Sequence, residues 1–182
     1  MPTPVGHLLS GVLVYFAIVP ARKVIWPLLL CTLFVASLPD IDFLFGYIVG
    51  NPNKYHHHFT HSISFAAVLG LVCALLGTRV FTPGFKALAA LFITAALLHI
   101  VLDLLAVDTS FPRGAPIFWP FSDRYFIFPF HLFSDVERVS DSKVFFKSML
   151  TIHNLRTVGI EIAILTPLTI LTVVLSRRSK RR

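Results

Sequence analysis

The stretch FKALAALFITAALLHIVLDLLAV, Phe85 to Val107, decides the fold. Between Lys86 and Asp103 it carries no formally charged side chain, and it exceeds the ~20 apolar residues that a helix needs to cross a bilayer. It therefore reads as a transmembrane helix. Its polar residues are gathered at one end, where His99 and Asp103 lie four positions apart and share a helix face. A histidine and a carboxylate so placed can hold one metal ion, or can act as a ligand and the group that orients it. Ionisable side chains inside a span are costly and commonly functional.

The same pattern extends in both directions. Hydrophobic residues make up 55% of the chain and the mean hydropathy is +0.78, too apolar for a soluble domain of this size. The fold class that follows is all-α: residues 1–182 as a single integral membrane domain, a bundle of about five spans. These are expected at Met1–Ala21, Trp26–Val49, Ile63–Val80, Phe85–Val107 and Val158–Leu175, with Pro167 kinking the last. The first run has no basic residues ahead of it, so it is expected to be a retained span, and a rather short one. Cys31 and Cys73 lie in apolar runs without paired spacing and read as packing residues.

Two further interruptions carry chemistry. Pro39, Asp40 and Asp42 break the second run, predicting a kink or unwound turn there, with one aspartate capping the following fragment and the other binding a ligand. The hairpin after it contains HHHFTHS, His56 to Ser62. If Thr60 and Ser62 open the next helix, His57 and His61 share a face, as do His58 and His61. His56 and His61 join His99 and Asp103 as candidate metal ligands, together with His7 in the first turns of the first span. Glu161, near the start of the last span, is a further candidate base or ligand.

Residues 107–157 form the long extramembrane segment. Its first half, SFPRGAPIFWPFSDRYFIFPF, suits an interfacial loop anchored by Trp119 and Tyr125, with Arg113 and Arg124 available to a phosphate. Its second half, Asp135 to Arg156, reads as an amphipathic helix lying on the membrane surface. His131 and His153 are expected to be exposed. The net charge of +7 comes largely from RRSKRR, so the tail at 176–182 is expected to contact anionic lipid on the cytoplasmic side. No nucleic-acid motif accompanies it, and no nucleic-acid partner is expected. With that tail inside, the histidine hairpin and the long loop face outward. Asp40 and His99 each lie about 21 Å along their helices from the inner end, and His7, His61 and Glu161 enter from the outer side. All are expected to converge on one pocket below the outer surface.

In order along the chain, Gly6-His7, LPDID from Leu38 to Asp42, FTHS from Phe59 to Ser62, His99-x-x-x-Asp103 and Gly114-x-P-x-x-W-Pro120 resemble the membrane-bound metal-dependent hydrolase family, often described as LexA-regulated. The resemblance runs from His7 to about Phe121 and more weakly to Glu161. The chain has His56, His57 and His58 where that family carries His-Arg-Gly. The family is in turn similar to zinc-dependent phospholipase C. That likeness implies one or two zinc ions held by His7, Asp40 or Asp42, His61, His99 and Asp103, with Asp103 bridging, in a prokaryotic cell membrane. It implies metal-activated water attacking a phosphoester of a membrane lipid or lipid-linked substrate. Asp40, Asp42 or Glu161 would serve as base, and Arg124 would hold the phosphate. The alternative from another class is a metal-ion binding transporter or sensor.

Overall fold

The computed structural model describes residues 1–19, 24–109 and 111–178. Pro20 and Ala21, which close the first span expected from sequence, Arg22 and Lys23 of the cytoplasmic loop expected after it, Ser110, and positions 179–182 of the basic tail lie outside these described residues.

The molecule is a helical membrane bundle. Helix α1 is Pro4–Ile18, α2 is Trp26–Ser37, α3 is Asp42–Ile48, α4 is Ile63–Gly77, α5 is Phe85–Leu104, α6 is Phe145–Ser148 and α7 is Ile152–Arg178. A tight 3-10 turn, Leu38–Ile41, welds α2 to α3. Pro39 occupies that turn, where its missing N–H costs least, so the polypeptide passes the aspartates by tightening to a 3-10 turn without losing its helical path. Three stretches are long and apolar enough to cross a membrane: Trp26–Ile48, Phe85–Leu104 and Ile152–Arg177. The other two apolar helices, α1 and α4, have 15 residues each, or about 22 Å.

Helix α5 is the centre of the bundle and packs against α1, α2 and α4, while α1 also packs on α2 and α7. Leu88, Leu91, Phe92, Ala95, Ala96 and Ile100 of α5 are buried against Tyr15, Leu28, Val35 and Ala66. The outward faces are apolar too. Leu30, Phe34, Val68, Leu75, Ile170 and Leu171 are all exposed, as lipid-facing side chains must be once water is not the solvent.

The surface helix expected between Asp135 and Arg156 is not formed. Only the turn Phe145–Ser148 is helical, and Ile152 to Arg156 begin α7. Side chains from the segment itself take up its backbone groups: Asn154 accepts from Glu137 N and donates to the Glu137 and Met149 carbonyls, and Ser148 accepts from Val139 N. Such side-chain to backbone bonds compete with a helical ladder.

Candidate metal centre

Five elements end together at one side of the bundle and deliver the polar residues to a common point. His7 comes from the first turn of α1, Asp40 from the 3-10 turn, Asp42 from the start of α3, His61 from the turn preceding α4, and His99 and Asp103 from the last turns of α5. Except for Asp40, which is partly open, these six are buried. The convergence expected from span depth is present.

At the centre, Nε2 of His61, Nε2 of His99 and Oδ2 of Asp103 form a triangle with edges of 3.3, 3.2 and 3.3 Å. Donors in tetrahedral contact with zinc at ~2.0–2.1 Å stand roughly 3.3 Å apart, so this triangle matches one face of such a site. Asp40 Oδ1 lies 3.7 Å from both imidazole nitrogens. The two carboxylates also reach the other way: Asp103 Oδ1 is 3.5 Å, and Asp40 Oδ2 3.9 Å, from His7 Nε2. Asp103 therefore offers one oxygen to the His61/His99 pair and one to His7, as a bridging carboxylate would, while Asp40 stands slightly farther off at the open edge.

The groups behind the imidazoles fix which nitrogen faces inward. His99 Nδ1 donates to the Ala36 carbonyl at 2.7 Å, leaving Nε2 toward the centre. His61 Nδ1 is 3.2 Å from Asp42 Oδ2, which also accepts from the Thr60 hydroxyl at 2.9 Å. His56 Nδ1 lies 3.1 Å from Asp42 Oδ1. Of the two aspartates, Asp40 thus faces the centre, while Asp42 lies behind His61 and His56 and orients them. Neither caps a helix through its side chain. His56 Nδ1 with Asp40 and Asp42 is also within ligand spacing, as is His56 with His57 and His61.

The helical reading of the hairpin that puts His57 and His61 on one face fails, although the two still come within ligand spacing together with His56. The helix begins only at Ile63, capped by the Ser62 hydroxyl, and His57 adopts a left-handed conformation with φ 61°. From there its Nδ1 lies 3.4 Å from Asp108 Oδ2. Asp108 in turn accepts from Gly114 N at 2.7 Å, and Gly114 is itself at φ 86° against the Phe126 carbonyl, where a side chain would collide. The glycine of the Gly-x-P-x-x-W-P motif thus supports the site through Asp108. Burial holds His57 below the ordinary imidazole range, and burial beside His57 and Arg138 holds His56 well below it, so both rings are neutral and available as ligands.

Fit to a cation can be judged from unsatisfied atoms. Both ring nitrogens of His7, Nε2 of His56 and His57, Asp40 Oδ1 and both oxygens of Asp103 are buried without a hydrogen-bond partner. Burying so many polar atoms, several of them anionic, is expensive unless a cation offsets them. A divalent metal with imidazole and carboxylate donors suits this set.

Two expected site residues lie elsewhere. Glu161 is buried on α7, but its carboxylate accepts from Thr3 N and the Thr3 hydroxyl at the start of α1, so it caps that helix and is not a base at the centre. Arg124 is exposed, and its backbone N–H bonds to Ser122. Arg138, in an irregular segment whose spacing carries no signal, instead lines one cavity together with Asp40. His153 pairs with Asp135 at 3.1 Å, away from the cluster.

A family model for YdjM inner membrane proteins matches residues 1–179. Inner membrane protein YbcI of Escherichia coli (strain K12) is 37% identical over 137 residues, which cover 72% of this chain and 75% of that protein. No solved structure matches.

Proposed function

The chain belongs to the YdjM inner membrane protein family, and we propose that within this membrane family it is a metal-dependent hydrolase cleaving a phosphoester bond of a lipid or lipid-linked substrate. What carries the reading is the triangle of His61 Nε2, His99 Nε2 and Asp103 Oδ2, whose edges of 3.2 to 3.3 Å fit tetrahedral zinc. One or two ions are accommodated by the donors around it. A zinc ion so held supplies Lewis acidity and a hydrolytic nucleophile derived from water at neutral pH.

The chain's own residues do the rest. Ala36 and Asp42 hold the inward nitrogens of His99 and His61 in their ligating tautomer. Asp40, whose side chain is 16% exposed while Asp103 is 1% exposed, is the carboxylate at the centre that an incoming water can reach. It is placed to accept that water's proton. The apolar helices around the site keep bulk solvent from all but this edge.

Ion conduction would call for polar groups through both membrane halves. Here the buried histidine, aspartate and glutamate side chains among the described residues, His7, Asp42, His57, His61, His99, Asp103 and Glu161, gather at one end of the bundle. The test is metal analysis of the purified protein beside His99→Ala, followed by assay on phospholipids and polyprenyl phosphates in detergent. We expect wild type to carry a first-row divalent metal, His99→Ala to lose it, and phosphate or phospho-alcohol release to stop with chelator and return with zinc. Metal-loaded protein that hydrolyses nothing across the panel, yet moves zinc across liposomes, would establish the transporter reading.

A further inference from the structure

Arg138 lies in the irregular segment before α7, at the boundary between two cavities. On one side is an apolar cavity of about 450 Å³ whose lining includes Phe43, Leu44, Phe145, Met149, Asp40 and Arg138 itself. On the other is a polar cleft of similar volume, about 450 Å³, lined by Asn53, Asp135, Glu137, Ser148 and Thr151. Volumes of ~300–1,000 Å³ are those of small-ligand sites. The outer wall of the apolar cavity is formed by side chains at the molecular surface: Leu44, Tyr47 and Phe146 are 55%, 41% and 64% exposed. On a membrane protein, such a wall is open to lipid.

The guanidinium is held in place but not used up. Its Nε donates to Asn53 Oδ1 at 2.8 Å, and it sits 5.2 Å over the Phe43 ring. Asn53 is fixed in turn by its amide, which donates to Ser140 at 2.8 Å. Although the carboxylates of Asp40, Asp42, Asp103 and Asp108 lie in its field, Arg138 makes no ion pair with a described residue. A pre-positioned guanidinium with free donors, beside a hydrolytic carboxylate and at the mouth of an apolar cavity, has the chemistry to bind phosphate on one side and hydrocarbon on the other.

We propose that Arg138 and the apolar cavity beside Asp40 form the binding site for an amphiphile carrying a phosphate and at least one long aliphatic chain, with the phosphate on the guanidinium and the chain along Phe43, Leu44 and Met149. This assignment rests on the hydrolase reading, for which it supplies the substrate class. The phosphate sits where Asp40 can act, and the polar cleft receives whatever the phosphate is esterified to.

Binding to the detergent-purified protein can be measured by native mass spectrometry with four probes: phosphatidic acid, farnesyl phosphate, and the matching diacylglycerol and farnesol. Wild type should bind at least one phosphate form about tenfold or more tightly than its alcohol, and which one it prefers names the source, phospholipid or polyprenyl lipid. Arg138→Ala should abolish that preference, a loss of about tenfold or more as expected for charge-assisted hydrogen bonds. Arg138→Lys should keep part of it. Leu44→Trp, at an exposed wall, should weaken both phosphate and alcohol forms by occupying the cavity. Metal content, measured on the same samples, should equal wild type in all three variants. Equal binding of phosphate and alcohol by wild type, or an Arg138→Ala variant with full metal and unchanged preference, would overturn the proposal. So would metal loss in Arg138→Ala that Arg138→Lys restores, since it would make the arginine a structural counter-charge to the carboxylates. A metal-free wild type that still shows the Arg138-dependent preference would sink the hydrolase reading and leave the lipid site standing.

Discussion

At the scale of single residues, the site separates side chains that face the centre from those that aim them. Asp42 is the informative case. It touches Nδ1 of both His61 and His56 and accepts the Thr60 hydroxyl, so it fixes two rings at once. Replacing it by asparagine keeps the size of the side chain but gives the imidazoles a weaker, uncharged partner. Loss of such an orienting carboxylate costs ~10–100-fold in metal affinity. We therefore expect Asp42→Asn to bind zinc ~10–100-fold more weakly in competition with a chelating dye, while His153→Ala, whose ring pairs with Asp135, matches wild type. Equal affinities for Asp42→Asn and wild type would remove Asp42 from its orienting role. The residue scale also shows what spacing could and could not reveal. His99 and Asp103 were legible because a helix fixes their relation; His57 was not, because its left-handed conformation belongs to no periodic pattern.

At the scale of elements, the triangle depends on how closely α4 approaches α5, since His61 enters on one and His99 and Asp103 leave on the other. Gly70 sets that distance. A Cβ there would stand 2.4 Å from Ile93 Cγ1 and 2.6 Å from Ile93 N, and backbone cannot step aside as a flexible side chain can. Small residues at such crossings let membrane helices pack closely. Gly70→Val should therefore push the helices apart, lower the detergent melting temperature by an amount matching ~1–3 kcal/mol of overpacking, and reduce bound metal. Gly159→Ala, with open space around its position inside α7, is the control and should leave the metal content unchanged without lowering the melting temperature. If Gly70→Val retained wild-type melting and metal content, the close crossing would not be what holds the site. The element scale also accounts for Glu161: a carboxylate in a span invites a catalytic reading, but the N-terminus of α1 takes it as its cap.

At the scale of the whole molecule, the histidine hairpin and the aromatic loop lie on one side of the bundle. The Phe59 and Trp119 rings are 5.4 Å apart, and Ile63 N donates to the Ile117 carbonyl at 3.0 Å. Single cysteines at the exposed positions Lys54 and Asp123, in a background lacking Cys31 and Cys73, should therefore react alike with an impermeant thiol reagent in intact cells. Opposite labelling would contradict the bundle. The sequence by itself determined that this is a helical membrane protein, where its five apolar helices run, and that His7, Asp40, His61 and His99 meet at one end, because apolar length sets the spans and rise per residue sets depth; the same depth argument also sent Glu161 there. Only the tertiary structure decided that Asp40 faces the centre while Asp42 orients, that Glu161 caps α1, and that Arg138 rather than Arg124 borders the site. Those outcomes depend on contacts between residues far apart in the chain: Asp42 with His56 and His61, Glu161 with Thr3, Arg138 with Asn53. No local period or composition encodes such contacts, because they are chosen by which buried polar groups find partners once the helices have packed.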